Sequence, residues 1–152
     1  MRLGLSILAC YGAGFLSALF VQTGTGSWYD GLAKPALMPD KWGIPTVAFI
    51  IYALMAAALW IVWERDPHVK EMRGWVPLFL AHLLLNAAWA IFFFGFHVIF
   101  IALIGAIMLI FAAFILMAGA WEIDKRAGYL LAPYVLWTLF IAYLNLHLWL
   151  IN

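Results

Sequence analysis

Charged side chains occupy only four short stretches of this chain, residues 1–2, 30–41, 64–73 and 122–126. Between them lie uncharged, mostly apolar runs at 3–29, 42–63, 74–121 and 127–152, of 27, 22, 48 and 26 residues. A bilayer-crossing helix needs about 20 mainly apolar residues. Three runs therefore hold one helix each. The 48-residue run holds two, with Gly95-Phe96-His97 as the turn. The pattern predicts five transmembrane helices near 3–22, 45–63, 74–94, 98–121 and 128–149. The runs lack the period-2 alternation of a membrane barrel, and an α-helix satisfies its own backbone in lipid. The predicted fold class is all-α: one membrane domain spanning 1–152, a five-helix bundle with an ordered loop between helices 1 and 2.

Composition removes the rival classes. The chain is 68% hydrophobic and 10% charged, against about 45–50% and 25% in soluble domains. A soluble monomer of 152 residues has no means of hiding that much apolar surface. A net charge of +1 and one cysteine exclude a nucleic-acid partner and a disulfide scaffold. Arg2, Arg65, Lys70, Arg73, Lys125 and Arg126 fall on one side of a five-helix arrangement, Lys34 and Lys41 on the other. The positive-inside rule then puts the N-terminus inside and the first connection, about 23–44, outside. Ile7-Leu8-Ala9-Cys10 loosely resembles a lipoprotein cleavage site, but the apolar run continues to Val21, so an uncleaved first helix is expected. The short basic start suits a bacterial inner membrane, and composition leaves an outer membrane open.

Small residues come next. Cys10, Gly14 and Ala18 form a row on helix 1; Ala53-Ala57 and Ala102-Ala106 are similar. Such rows let helices approach closely in lipid, and packing is their expected role. The first connection is unlike a solvated loop. Pro35, Pro39 and Pro45 forbid one continuous helix, yet Trp28, Tyr29, Leu32, Leu37, Met38 and Trp42 crowd it. Two readings stand: a cap folded over the bundle mouth, or an aromatic belt at the membrane interface.

Polar groups within the spans carry the candidate chemistry, because an unpaired amide or imidazole in hydrocarbon is costly. Helix 3 presents His82, Asn86, Trp89 and Phe93 on one face, and helix 5 presents Tyr134, Trp137, Ile141 and Asn145 on another. Helix 2 adds Tyr52 and Met55. Aromatic rings with a few placed polar atoms compose a ligand pocket; interhelical hydrogen bonding is the alternative. His68 reads as a solvated loop residue. His82 has no second His, Cys or carboxylate three or four residues away, so no metal site is expected and a haem-ligating role is disfavoured. No acidic or basic residue lies within a span, which argues against a proton relay. No catalytic or phosphate-binding motif is present.

Three motifs then converge. Trp28-Tyr29-x-x-Leu32-x-Lys34-Pro35 continues to Pro39, Trp42 and Tyr52; Leu85-Asn86-x-x-Trp89 is followed by Phe93-Phe94; Pro133-Tyr134-x-x-Trp137 runs to Leu144-Asn145. In this order and spacing, over nearly the whole chain, they resemble the tryptophan-rich sensory protein (TspO/MBR) family, which includes the mitochondrial translocator protein. The resemblance implies a five-helix fold, usually a homodimer in the lipid bilayer, with the first loop closing over a pocket. It implies binding of porphyrins such as protoporphyrin IX, and also of haem, sterols and isoquinoline or benzodiazepine drugs. No cofactor is required; porphyrin or haem enters as ligand. The implied pocket residues are Pro39, Trp42, Tyr52, His82, Asn86, Trp89, Tyr134, Trp137, Ile141 and Asn145, beside Phe93 of the helix-3 face. His82 and Asn86 would orient the ligand's polar edge, and Lys34 or Lys41 would attract its carboxylates.

Departures from the family pattern matter. Leu37 stands where a second tryptophan is common, Asp40 where a proline is, His82 where Gln or Asn is, and Ala48 where a helix-2 tryptophan is. Some bacterial members degrade porphyrin in light, using that tryptophan and the helix-5 tryptophan. Here only the latter remains, as Trp137, a possible redox residue, so weak or absent photodegradation is expected. The helix-5 end, Leu144 to Asn152, has no basic residue, which disfavours the family's vertebrate sterol pattern. An alternative to ligand binding is a membrane assembly protein without a small-molecule ligand.

Overall fold

The computed structural model describes residues 1–40, 42–65 and 70–152; Lys41 and His68 lie outside the described residues. Five α-helices follow one another: α1 (Arg2–Ala18), α2 (Gly43–Glu64), α3 (Lys70–Ala90), α4 (Ile99–Ile123) and α5 (Lys125–Ile151), with no strand among the described residues. The stretch Gly43–Glu64, the stretch Gly74–Gly95, α4 and α5 are each long and apolar enough to cross a membrane. With 17 residues, α1 is shorter than the sequence pattern predicted. It stops because Phe20 and Val21 turn back onto Ser17 and Ala18 through backbone bonds of 3.1 and 3.2 Å. Phe20 then packs on Gly95, where an added Cβ would lie 3.1 Å from its ring.

The turn predicted inside the long apolar run is present. A π-helical turn, Ile91–Gly95, ends α3. His97 then takes φ 60°, a left-handed conformation unusual for a residue with a side chain. Its ring stacks on Trp28 at 4.4 Å, which holds that conformation from outside the turn.

The core is built on small residues. Along α4, Ala102, Ala106, Leu109, Ala113, Leu116 and Ala120 are buried at a 4-3-4-3-4 spacing that keeps one seam inward, with Leu103 buried beside it. Alanines there let α5 approach closely, and α4–α5 is the most extensive helix contact. The small-residue rows divide in their roles. Cys10, Ala102 and Ala106 are buried, but Ala53 is exposed, and it is Ala56 and Ala58 that α2 buries. The lower core gathers Met55, Leu59, Val62, Trp75, Phe79, Leu116 and Leu131. There the Trp75 indole N–H donates to Leu116 O at 2.8 Å, so its polar atom is satisfied in an apolar setting.

At this end of the bundle Asp124 joins three helices. It caps α5 by accepting from Arg126 N at 2.8 Å and pairs with Arg65 at the C-terminus of α2. Arg2 on α1 donates to Trp63 O beside it. The opposite end carries the α1–α2 loop, the α3–α4 turn and the end of α5. An odd helix count thus places Arg2 and Asn152 at opposite ends.

Candidate functional site

Toward the loop end the helices splay around a cavity of about 600 Å³. Its walls come from α1 through α5, and Tyr29 and Met38 of the loop contribute to its upper rim. Among the described residues, no Asp, Glu, Lys or Arg lines it. Size and composition match those of small-molecule pockets, apolar with a few fixed polar atoms.

The polar atoms form two sets. In the first, Tyr52 donates its hydroxyl to Asn86 Oδ1 at 2.8 Å, and Asn86 Nδ2 reaches the Tyr134 hydroxyl at 3.4 Å. Tyr134 also meets His82 Nε2. Tyr134 is thereby held from two sides, by the carboxamide of Asn86 and the imidazole of His82. His82 Nδ1 has no hydrogen-bond partner among the described residues. In the second set, Trp89 Nε1 donates to Asn145 Oδ1 at 3.1 Å, and Asn145 Nδ2 donates to Ile99 O at 3.1 Å. Asn145 is thereby committed to tying α3 and α5 to the start of α4. Asn86, half-buried in the wall, is the amide best placed to meet a ligand.

Eight of the eleven sequence-predicted residues line this one cavity: Tyr52, Asn86, Trp89, Phe93, Tyr134, Trp137, Ile141 and Asn145. Three do not. His82 sits behind Tyr134, fully buried, so it positions the Tyr134 hydroxyl rather than facing the cavity. Trp42 is 73% exposed at the N-terminus of α2, a placement that suits the interface-belt reading. Pro39 packs against Gly43 at the entry to α2, where a Cβ on that glycine would lie 3.0 Å from the proline Cβ. Lys34 is turned away as well: its Nζ donates to Asp30 O at 3.1 Å and lies 5.2 Å from the Tyr29 ring centre.

The α1–α2 loop meets the bundle through Trp28 and Tyr29. Trp28 packs edge-on to Phe93 at 5.7 Å, and Tyr29 meets Phe94 at 5.5 Å. Tyr29 donates to Met38 Sδ at 3.3 Å, and burial pushes its phenol above the ordinary range. Two hydrogen bonds tie the loop to α5: Ala33 N donates to Asn152 Oδ1 at 2.9 Å, and Asn152 Nδ2 donates to Ala33 O at 3.1 Å.

Sequence reasoning missed the α1 wall, namely Tyr11, Gly14, Phe15, Ser17 and Ala18, together with Val21 just beyond it and Ala48. Helix 1 carries few hydrogen-bonding groups, so its face held no signal except the small row, which fits packing equally well. Gly14 serves the site directly. A Cβ there would lie 2.7 Å from Tyr52 Cε2. Gly14→Ala is therefore expected to push the Tyr52 ring off Asn86 and to lower thermal stability in detergent by about 1–3 kcal/mol. An unchanged melting midpoint would mean that the ring slides aside at no cost.

The TspO/MBR family profile matches residues 6–150. The chain is 32% identical to the tryptophan-rich protein TspO of Archaeoglobus fulgidus, covering 100% of this chain and 97% of that one. It is 31% identical to the translocator protein of Homo sapiens, over 89% of this chain and 80% of that one. It is also 28% identical to protein CrtK of Rhodobacter capsulatus, over 95% and 89%.

Proposed function

The chain belongs to the TspO/MBR family, and from that premise we propose that it is a multi-pass membrane receptor or carrier for porphyrin-like hydrophobic ligands. The observation that carries this reading is the largely apolar cavity of about 600 Å³ with Asn86 in its wall. Trp89, Trp137 and Tyr52 offer rings for stacking on a planar ligand. Asn86 and Tyr52 offer hydrogen bonds to its polar edge. With no cation among the described residues of the wall, the carboxylates of a porphyrin stay at the mouth, near the headgroups. The loop is an ordered cap, held by Trp28, Tyr29 and the Asn152 tether. All five helices cross the bilayer, α1 at about 25 Å needing its flanking residues 19–21 to cover a hydrocarbon core of about 30 Å. The N-terminus lies inside a bacterial inner membrane, and the expected partner is a second copy of the chain. Light-driven porphyrin degradation is weak, because Ala48 offers no indole opposite Trp137.

The test is quenching of tryptophan fluorescence by protoporphyrin IX in detergent. Saturable quenching at micromolar porphyrin, with a smaller amplitude in Trp137→Phe, is the expected result. Linear, unsaturable quenching that is the same in both proteins would mean partition into the micelle and would overturn the reading.

A further inference from the structure

We infer that the ligand passes between the bilayer and the cavity sideways, through a gap between the outer part of α1 and the start of α2, while the loop stays closed. The inference rests on the cavity being a site for hydrophobic ligands, and it concerns the route in.

The helices set the gap by their register. Arg2 meets Trp63 O, and Gly14 lies against Tyr52, so α1 and α2 run antiparallel in close contact up to that level. Continuing the register one turn puts Ala18 opposite Ala48. Both line the cavity, and neither has a side chain long enough to close the space between two helices. Tyr11 forms the inner sill, its hydroxyl donating to Phe49 O at 3.0 Å. Beyond the sill the walls face outward. Phe15 and Phe49 line the cavity yet remain 67% and 64% exposed, and Ala18 is exposed as well. The early end of α1 at Ala18 removes the turn of helix that would otherwise wall this side.

Two other routes are shut. Between α2 and α5, Ile51 and Trp137 separate the cavity from a shallow apolar groove on the outer surface, and Ile51 is buried. At the loop end, Trp28 stacks on His97 and meets Phe93 edge-on, and Ala33 is tied to Asn152 by two hydrogen bonds. The gap lies about 8 Å along α2 from its start, a depth that faces acyl chains and not water. What enters there is a molecule already dissolved in the leaflet on the loop side. Amphiphilic planar molecules fit this route, with the uncharged body sliding between Phe15 and Phe49 and the charged carboxylates left at the headgroups. A tryptophan at position 48 would close the gap; this chain has alanine there.

The test measures protoporphyrin IX association and dissociation in vesicles by stopped-flow fluorescence, for wild type, Ala18→Phe, Ala48→Phe and Asn152→Ala. Plugging the gap is expected to slow both rates by about tenfold, with the equilibrium affinity changed far less. Asn152→Ala is expected to leave the rates at the wild-type values. In wild type the entry rate follows the mole fraction of porphyrin in the bilayer, not its aqueous concentration, a readout independent of whether the plugged variants fold. Saturable binding with rates unaltered by either plug, or faster in Asn152→Ala, would overturn the side route and put entry under the loop. Absence of saturable binding in wild type would instead remove the ligand reading itself.

Discussion

Asn86→Ala is expected to weaken protoporphyrin IX binding by about tenfold or more while leaving the bundle folded. Two opposing magnitudes decide this. Interhelical hydrogen bonds in membrane proteins contribute about 0.6 kcal/mol each on average, so losing those to Tyr52 and Tyr134 costs the fold little. Tyr134 keeps His82 as a partner after the change. A ligand polar edge, by contrast, enters a cavity whose other amide, Asn145, is buried at 1% exposure, while Asn86 is half-buried in the wall and its Nδ2 contact to Tyr134 is long, at 3.4 Å. Without Asn86 it loses the carboxamide as a partner, and a buried polar group left unpaired costs about 1–3 kcal/mol. The titration of the variant beside wild type, with melting curves of both, measures the two effects separately. Equal affinities would assign Asn86 to packing and return the helix-3 face to the interhelical reading. A collapse of both binding and melting would show that the Tyr52–Asn86–Tyr134 chain holds the fold.

The second large effect is expected at the opposite end of the bundle. Asp124→Ala removes the cap of α5, a loss of about 1 kcal/mol on its own, and unties Arg65 from the α4–α5 junction. The side chain of Asp124 is 7% exposed while that of Arg65 is 53% exposed. The cation regains water when its partner goes, so the cap dominates the cost. Asp124→Asn separates the contributions by keeping an acceptor for Arg126 N while losing the charge. The pH dependence has a definite sign. The hydrogen bond from Arg65 holds the Asp124 carboxyl below its ordinary range, helped by Arg126 N–H and opposed by burial. The ion pair therefore stabilises the fold above the unfolded-state pKa of about 3.9 and is lost as pH falls through the lower folded-state value. Melting midpoints of wild type and Asp124→Asn should differ at neutral pH and converge in acid. A difference that persists unchanged into acid would mean that the charge contributes nothing.

How much of this was legible in the sequence follows from what each signal measures. Charge clustering marks where a chain leaves hydrocarbon, and a charged side chain in lipid is costly enough that the marks are reliable. That fixed the number of helices and the turn near His97. It put the α1 boundary four residues late, because Leu19, Phe20 and Val21 are apolar enough to continue a helix. Only Gly95, distant in sequence, offers Phe20 a seat that ends it.

Helical periodicity puts residues on a common face, and the faces of α3 and α5 were found that way. It does not say what a face meets. Asn86 and Asn145 look alike in sequence, yet one stands in the wall beside Tyr52 and Tyr134 while the other is committed to Trp89 and Ile99. His82 shares the Asn86 face but is placed behind Tyr134, a residue 52 positions away. Gly14 and Ala18 are one small-residue row, but Gly14 seats a tyrosine and Ala18 borders an opening. The sequence by itself determined the membrane class, the helix count, the faces that carry polar groups and the family. The tertiary structure decided which polar atoms were left for a ligand and where the cavity opens. Both depend on the register and rotation of one helix against another, and those are set by the size of side chains that no local pattern brings together.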